Sequence, residues 1–424
     1  MRRGTDEVPG RGESNQQSIE KPIKQSPAEA WGELLSVANL SSVKDKTAIV
    51  GIGCTEFSAR SGRSETQLAL EAIKAAIDDA GLSARDIDGL VRYDVDSSTD
   101  HVIQNNLGIA NLRWDANAPI GGSATVRVIQ AAVAGIVAGF ADYVVCFRAM
   151  NERSGKRFGQ SSVGGRVPGG MAFYAPFGLF SPAQQLAITA RRHMHEYGTT
   201  SRQFGAVAAA FRKHANRNPR AMMHGRPMTI EDHQRSRLIA DPLRLFDCCL
   251  ETDGACAVVV TSAERARDLK QRPAYIMGIA QAQVSPHESV RPYYRPNPID
   301  PVEHRNIARD LFGMAGVEPK DIDVAQIYDH FTPGVILALE GLGFCKPGEG
   351  GPFVEGGRIE WPDGELPLNT SGGHLSEGYI HGLSLVLEGV RQVRGASTCQ
   401  VKNAELSLVS AAPSGAGGAI ILRR

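Results

Sequence analysis

Hydrophobic and polar positions alternate along the chain between short apolar runs and longer amphipathic segments. The run TAIVGIGCTEFS, residues 47–58, is apolar and β-branched before it turns polar, which predicts a buried strand followed by a loop. The next segment predicts a helix that begins after Ser64, a good N-cap residue, and ends at Gly81. Its apolar residues recur at helical spacing: Leu68, Leu70, Ile73 and Ile77.

This order of elements occurs a second time. Residues 73–94 (IKAAIDDAGLSARDIDGLVRYD) and 308–329 (ARDLFGMAGVEPKDIDVAQIYD) each predict a helix, an Ala-Gly stop, an Asp-Ile-Asp linker and a strand that ends in Tyr-Asp. A Gly pair precedes a predicted long helix at Gly121 and again at Gly372. We interpret this self-similarity as a duplicated α/β fold. Because strands alternate with helices within each copy, we expect parallel βαβ units and a mostly buried sheet.

The chain length predicts more than one lobe. A single hydrophobic core rarely serves more than about 300 residues, and this chain has 424. The repeat predicts an N-terminal lobe at 46–270 and a C-terminal lobe at 271–424. An insertion at about 147–245 has no counterpart in the second copy, and we expect it to cap the mouth of the active site. Residues 1–45 are polar and predict a disordered or poorly ordered N-terminal extension, with one short helix at Ala28–Val37.

Composition narrows the classes of partner. The 46 acidic and 46 basic residues balance, so overall charge does not favour a nucleic-acid or membrane-surface partner. Neither an apolar run of spanning length nor a secretory signal pattern is present, so we expect a cytoplasmic protein without a membrane partner. The seven cysteines are odd in number and form no CxxC motif, which predicts free, mostly buried thiols in a reducing compartment.

Candidate chemistry follows from the repeat. In open α/β sheets, ligands bind beyond the carboxyl ends of strands, and a duplicated fold should bring its two equivalent ends to one cleft. Four segments follow predicted strands or open predicted helices: Gly121–Ser123, Tyr328–Phe331, Gly372–Gly382 and the Gly-rich residues 411–419. His374 and His381 are candidate metal ligands, but no third ligand occurs at useful spacing, so we predict no metal.

The duplicated pattern, the run ETDGACAVVV at 251–260 and the Gly-rich C-terminal turn resemble the thiolase superfamily over residues 47–424. The resemblance implies the thiolase fold, in which two duplicated βαβ lobes form a five-layered αβαβα architecture. It also places the superfamily's nucleophilic cysteine at Gly121–Ser123 and its second cysteine near Ala412, so neither cysteine is present at its matched position.

Two further motifs of the superfamily are altered. Its Asn-Glu-Ala-Phe motif corresponds to Tyr328–Phe331, and its Gly-His-Pro-x-Gly motif corresponds to Gly378–Gly382. Tyrosines therefore replace the asparagine and the catalytic histidine, at Tyr328 and Tyr379. Thiolysis needs a thiolate, so the substitutions point away from thiolase chemistry.

A narrower resemblance comes from the motifs FRAMNERSGKRFGQ, PLRLFDCCLETDGA, YDHFTP and YIHG. These are similar to the bacterial steroid side-chain aldolases in the lipid-transfer-protein (SCP2-thiolase-like) group. The resemblance implies retro-aldol cleavage of a 17-hydroxy steroid β-hydroxyacyl-CoA to a 17-ketosteroid and propionyl-CoA. It implies no cofactor, because the CoA thioester is the substrate. It also implies a homodimer that binds a DUF35-type OB-fold protein.

The same resemblance implies roles for residues in this sequence. Tyr328 and Tyr379 would be the catalytic pair, supported by neighbouring polar residues and a glycine-rich pocket. The supporting residues would be Asp329, His330 and His381, and the substrate pocket would include Gly122, Ser123 and Gly373. A phenol has a pKa of about 10 and donates hydrogen bonds well, which suits enolate stabilisation better than base catalysis. The sequence leaves open which tyrosine takes the hydroxyl proton.

Two other functions compete with the aldolase interpretation. An acyl-CoA thiolase or acyltransferase would need a nucleophile that the matched positions lack. A non-catalytic carrier subunit for acyl-CoA or lipid would not need tyrosines at both matched positions.

Overall fold

A computed structural model describes residues 43–119, 121–155, 157, 171–285, 295–412 and 416–424. The interpretation of residues 1–42, with the helix at Ala28–Val37, lies outside the described residues. The strands of the described part are β1 (Thr47–Cys54), β2 (Gly89–Tyr93), β3 (Trp114–Ala118), β4 (Tyr143–Asn151), β5 (Leu238–Ala240), β6 (Leu243–Arg244), β7 (Asp253–Ser262), β8 (Ala274–Gln283), β9 (Val324–Gln326), β10 (Leu406–Ser410) and β11 (Ala416–Arg423).

The α-helices of the same ranges follow strands in both copies and fill the insertion. They are α1 (Glu65–Ala80), α2 (Asp100–Leu107), α3 (Ala124–Val137), α4 (Met171–Tyr174), α5 (Pro182–Tyr197), α6 (Ser201–Ala215), α7 (Ile230–Arg235), α8 (Ala263–Ala266), α9 (Val302–Ala315), α10 (Thr332–Gly341), α11 (Gly350–Phe353), α12 (Gly373–Ser376) and α13 (Leu383–Arg394). No helix in this part of the chain is both long and apolar enough to cross a membrane.

The sheet displays the duplication directly. Its strand order is β3-β2-β4-β7-β1-β8-β11-β10-β9, so β1-β7-β4-β2 in one half corresponds to β8-β11-β10-β9 in the other. Each pairing has the same direction in both halves. The edge strand β3 also has a counterpart, because Leu368 forms a parallel bridge with Ala325 of β9 at the opposite edge of the sheet. The predicted repeat is confirmed.

The expected parallel βαβ units form part of the sheet, and its other strand pairs are antiparallel. Among the strands of the described residues, the parallel pairs are β2 with β3, β2 with β4, and β9 with β10. Strands β7 and β11 pair antiparallel with their neighbours on both sides. The short connection at 411–415 explains this in the second copy, because a parallel crossover needs a dozen or more residues.

Helices separate the two halves of the sheet and cover their outer faces. Both α3 and α13 contact strands of the two halves, whereas α1 packs on β1, β4 and β7, and α9 on β8 and β11. Every residue of α13 from Leu383 to Val393 is buried, as a helix enclosed on all sides requires. The arrangement is the five-layered αβαβα thiolase fold.

Helix boundaries agree with the sequence in the first copy and differ in the second. The Ser64 side chain accepts a hydrogen bond from the Gln67 N–H, and Gly81 ends α1 in the left-handed region, as predicted. The long helix predicted after Gly372 instead begins at Leu383. His381 and Gly382 have φ values of +46° and +90°, which cannot continue a right-handed helix. Residues 377–382 therefore form a non-helical segment.

In chain order, helices α4–α7 and the β5–β6 hairpin follow β4 and precede β7, and they form the insertion. Strand β4 itself extends into the range predicted for the insertion. The insertion contacts residues 371–376 and the first residue of the 377–382 segment. Arg212 Nε donates to Ser376 Oγ (2.9 Å), and Asn218 Nδ2 donates to the Ser371 carbonyl (3.0 Å). The Met222 N–H donates to the Glu377 carbonyl (2.9 Å). These bonds fix the insertion against this loop.

Candidate active site

Two tyrosines meet at the centre of the candidate site. Tyr328 lies just beyond β9, and Tyr379 lies in the 377–382 segment. Their hydroxyl oxygens are 2.9 Å apart, and the side chains belong to residues only 1% and 7% exposed. Burial raises the pKa of both phenols well above the ordinary value. Both are therefore protonated at neutral pH, and one donates to the other.

Each tyrosine backbone is anchored by a hydroxyl from a neighbouring strand. The Tyr328 N–H donates to Ser410 Oγ (3.1 Å) at the end of β10. The Tyr379 N–H donates to Thr252 Oγ1 (3.1 Å), immediately before β7. Because these anchors come from opposite halves of the sheet, the phenol pair depends on both lobes.

Asn369 fixes the backbone that precedes Tyr328. Its Oδ1 accepts from the Ile327 N–H (2.7 Å), and its Nδ2 donates to the Ile327 carbonyl (2.8 Å). Asn369 itself has a φ of +45°, a conformation that asparagine tolerates better than most residues. The side chain thus takes the place of a neighbouring strand at a point where β9 has ended.

Asp329 caps the start of helix α12, which precedes the 377–382 segment. Its carboxylate oxygens accept from the N–H groups of His374 (3.0 Å) and Leu375 (3.1 Å) at the start of α12. Burial raises the pKa of Asp329 to about 7. A Cβ at Gly373 would lie 2.3 Å from Asp329 Oδ2. Gly373 therefore makes room for this carboxylate, a structural requirement separate from its predicted place in the pocket.

Imidazole rings surround the phenols edge-on. The His374 ring centroid lies 4.6 Å from that of Tyr328 and 5.0 Å from that of Tyr379. His330 lies 5.1 Å from Tyr328, and His381 lies 5.3 Å from Tyr379. Burial lowers the pKa of His374 and His381 far below the ordinary value, so both are neutral. Sequence reasoning treated His374 only as a metal ligand and missed this contact.

The Gly121–Ser123 turn of the first copy faces this site. A Cβ on Gly122 would lie 1.9 Å from the Tyr328 hydroxyl oxygen, and one on Gly121 would lie 3.3 Å from His381 Nε2. Ser123 is the buried last residue of this turn, just before α3. The two equivalent corners of the duplicated fold thus meet, and the absence of side chains at the glycines is what lets the phenol approach.

Arg148 is a functional candidate that sequence reasoning missed. It lies in β4 and is buried, with Nε donating to His381 Nδ1 (3.0 Å) and Nη1 donating to Asp96 Oδ1 (2.7 Å). The available signal was the charge itself, because an arginine interrupts the apolar run YVVCFRAM. Buried charges of this kind are paired and mark sites that merit scrutiny.

Comparisons with known proteins identify the family of this chain. The family described as "Thiolase C-terminal domain-like" matches residues 289–421. The chain is 48% identical over 371 residues to the 17-hydroxy-3-oxo-4-pregnene-20-carboxyl-CoA lyase of Mycobacterium tuberculosis, covering 86% of this chain and 96% of the relative. It is 47% identical over 377 residues to the steroid side-chain-cleaving aldolase of Thermomonospora curvata, covering 88% and 96%.

The chain belongs to the thiolase-like family that contains these two enzymes. A solved structure described as "Ltp2-ChsH2(DUF35) aldolase" superposes on this thiolase-like chain with a TM-score of 0.84 at 45% identity, covering 90% of this chain and 98% of that one. Human mitochondrial 3-ketoacyl-CoA thiolase, at 16% identity and a TM-score of 0.66, shares the fold.

The thiolase-like site holds a cysteine, but burial keeps it a thiol. The Cys249 N–H donates to the His330 carbonyl (2.9 Å), beside the phenols. Burial raises the pKa of Cys249 well above its ordinary value, with acidic neighbours acting in the same direction. A raised pKa disfavours the thiolate that thiolase chemistry needs, because a thiol is a far weaker nucleophile.

Proposed function

We propose that this chain is a carbon–carbon lyase of sterol catabolism that cleaves the side chain of a 17-hydroxy steroid β-hydroxyacyl-CoA. The products are a 17-ketosteroid and propionyl-CoA. Its relatives bear the names of such enzymes and cover most of the chain. The observation that carries the proposal is the buried phenol pair, with hydroxyl oxygens 2.9 Å apart, at the positions where thiolases have other residues.

The reaction moves one proton from oxygen to carbon. Loss of the C17 hydroxyl proton forms the ketone as the bond between C17 and the thioester α-carbon breaks. The electron pair of that bond passes into a thioester enolate, and the α-carbon then takes a proton to give propionyl-CoA. A hydrogen-bonded pair of phenols suits this sequence because one hydroxyl can accept a proton while its neighbour donates one. Neutral donors also stabilise the enolate as its charge develops.

The surroundings of Tyr328 and Tyr379 favour proton transfer through both hydroxyls together. Neutral imidazoles enclose the phenols, and Tyr328 and Tyr379 each have a raised pKa. A free phenolate is therefore costly, and transfer through the shared hydrogen bond avoids it. We propose that Asp329, His330 and His381 hold this arrangement, and that the substrate reaches the phenol pair alongside the turn containing Gly122 and Ser123.

We further propose that the chain works as a homodimer with a DUF35-type OB-fold partner in the cytoplasm, without a cofactor or a metal. The description of the related solved structure supports the partner, since that aldolase combines two named components, one of them DUF35. A retro-aldol step neither gains nor loses electrons, so the reaction needs no redox cofactor.

The test is coexpression with a DUF35-type partner, followed by incubation of the complex with a 17-hydroxy steroid acyl-CoA. We expect propionyl-CoA and the 17-ketosteroid in equal amounts by mass spectrometry. A parallel incubation with a 3-ketoacyl-CoA and free CoA should yield no new acyl-CoA. Thiolysis in the second reaction, or no cleavage in the first, would overturn the proposal.

A further inference from the structure

Arg148 links a buried charge to the candidate site without contacting the phenols. It is 4% exposed and makes an ion pair with Asp96, whose Oδ1 lies 2.7 Å from Arg148 Nη1. Asp96 also accepts from the N–H groups of Ala149 (3.0 Å) and Tyr93 (3.2 Å). The carboxylate is thus fixed from three directions, so the guanidinium it holds has little freedom to turn.

The partner of this guanidinium at the site is His381. Arg148 Nε donates to His381 Nδ1 at 3.0 Å. The His381 carbonyl accepts from Thr125 Oγ1 (2.6 Å) and from the Tyr93 hydroxyl (3.3 Å). The Tyr93 ring stacks on the imidazole with centroids 6.2 Å apart. Both the backbone and the ring of His381 are therefore held, at a φ of +46° that is unusual for a histidine.

The arginine bond fixes which nitrogen of His381 carries the proton. A guanidinium can only donate, so Nδ1 must be the unprotonated acceptor. Burial, followed by the charge of Arg148, lowers the pKa of His381 far below its ordinary value, so the imidazole is neutral. The single remaining proton therefore resides on Nε2.

That nitrogen points toward the turn of the first copy. Nε2 lies 3.3 Å from the position that a Cβ would take on Gly121, and the adjoining Gly122 lies against the Tyr328 hydroxyl. The Nε2–H and the phenol pair thus border the same turn at the start of α3. A thioester oxygen near this turn would face the Nε2–H and the one phenol proton that is not shared within the pair, and two neutral donors of this kind suit a developing enolate.

We infer that Arg148 is a positioning residue that, through its bond to His381 Nδ1, makes His381 present an Nε2–H beside the Tyr328–Tyr379 pair. Arg148 acts through His381, and Asp96 is its ion-pair partner. The inference rests on the proposed function for its role in cleavage, whereas the tautomer of His381 is a property of the protein itself.

The first test replaces the donor while keeping the site neutral. The double variant Arg148→Met, Asp96→Asn removes both charges of the ion pair, so no buried charge is left alone. We expect kcat for propionyl-CoA release to fall by about 10²-fold, the effect of losing one preorganised donor, with little change in KM. Arg148→Lys, which keeps a donor and the charge, should recover part of the lost rate.

A double-mutant cycle separates positioning from general support of the fold. In a His381→Gln background, the Arg148→Met, Asp96→Asn change should cost no further activity, because its route to the reaction has been removed. A further loss of similar size in that background would show that Arg148 acts elsewhere and would overturn the inference. Melting temperatures of all variants identify any that fail to fold.

Nitrogen NMR of histidine-labelled protein gives a readout independent of turnover. We expect the His381 signals to show a protonated Nε2 and an unprotonated Nδ1. These signals are assigned to His381 because they disappear in His381→Gln. In the double variant Arg148→Met, Asp96→Asn, we expect His381 to populate both neutral tautomers. An unchanged tautomer in that variant would overturn the inference even where turnover falls. If the native complex releases no propionyl-CoA, the proposed function fails, while the NMR result still decides the role of Arg148.

Discussion

The hydroxyl oxygens of Tyr328 and Tyr379 lie 2.9 Å apart although the two residues come from different loops. One follows β9, and the other precedes α13. Their anchors, Ser410 and Thr252, belong to opposite halves of the duplicated sheet. The pair is therefore a product of the docked lobes, and changes that shift either loop should act on the reaction through this one hydrogen bond.

Removing either hydroxyl should abolish most of the activity. Tyr328→Phe and Tyr379→Phe keep the rings that fill the buried space and remove the hydroxyls that share the hydrogen bond. We expect kcat for propionyl-CoA release to fall by about 10²–10⁴-fold in each, the usual contribution of a proton-transfer group. The double variant should lose little more than the single ones, because the two act as a unit. Turnover close to that of the native enzyme in both single variants would refute the mechanism.

Adding one methyl group at Gly122 should displace Tyr328. The new Cβ would lie 1.9 Å from the Tyr328 hydroxyl oxygen, far inside contact distance. We expect Gly122→Ala to reduce kcat by at least about 10²-fold, by separating the phenols, with the fold retained. Gly313→Ala is the matched control, since a Cβ at that position within α9 would meet no atom within 4 Å. The control should keep full activity and gain up to about 1 kcal/mol of stability.

Glu377 should make stability depend on pH in a defined direction. Burial raises its pKa to about 7, despite Arg391 acting in the opposite sense. An acid whose pKa is higher in the folded state stabilises fully below its unfolded value, about 4.5, and loses that stability as pH rises through about 7. We therefore expect Glu377→Gln to match the native protein at pH 5 and to exceed it by up to about 3 kcal/mol at pH 9.

Urea unfolding at both pH values measures this difference. The comparison between variant and native protein cancels the contributions of other titrating groups, such as His374, whose lowered pKa acts in the opposite direction. Glu405→Gln, at an exposed position, serves as the control and should leave the pH dependence unchanged. A Glu377→Gln protein with the native pH dependence would contradict the prediction.

Asn369 should matter more for its side chain than for its backbone conformation. Asn369→Ala leaves the Ile327 N–H and carbonyl without their partner and should lower the free energy of unfolding by about 3 kcal/mol. Asn403→Ala tests the backbone alone, because Asn403 is exposed and has a similar φ of +56°. We expect about 1 kcal/mol there. Equal losses at the two positions would show that the Ile327 bonds contribute nothing.

The sequence predicted the features that depend on local pattern and internal repetition. The cap at Ser64, the stop at Gly81 and the correspondence between 73–94 and 308–329 all have counterparts in the structure. The repeat predicted the two segments that contain Tyr328 and Tyr379, but only the family resemblance singled out the tyrosines, because nothing local distinguishes a catalytic phenol from a core tyrosine. Their 2.9 Å separation is a tertiary fact that no spacing in the chain encodes.

The mispredicted features have physical causes. The helix after Gly372 breaks because His381 and Gly382 adopt left-handed conformations, and what holds His381 there is distant in sequence. Thr125, Tyr93 and Arg148 all lie in the first copy. Sequence patterns report on residues that are close along the chain, whereas the hydrogen bonds that hold His381 connect one copy of the repeat to the other.

The central position of β1 carries a consequence for how the protein is made. This strand lies between β7 and β8, whose first residues, Asp253 and Ala274, emerge from the ribosome long after Cys54. Until then β1 lacks both of its neighbouring strands, and the unpaired N–H and C=O groups along its edges are open to other chains. Non-local pairing of this kind slows folding and exposes nascent chains to aggregation. The yield of active protein should therefore rise with slower translation, lower temperature or added chaperones.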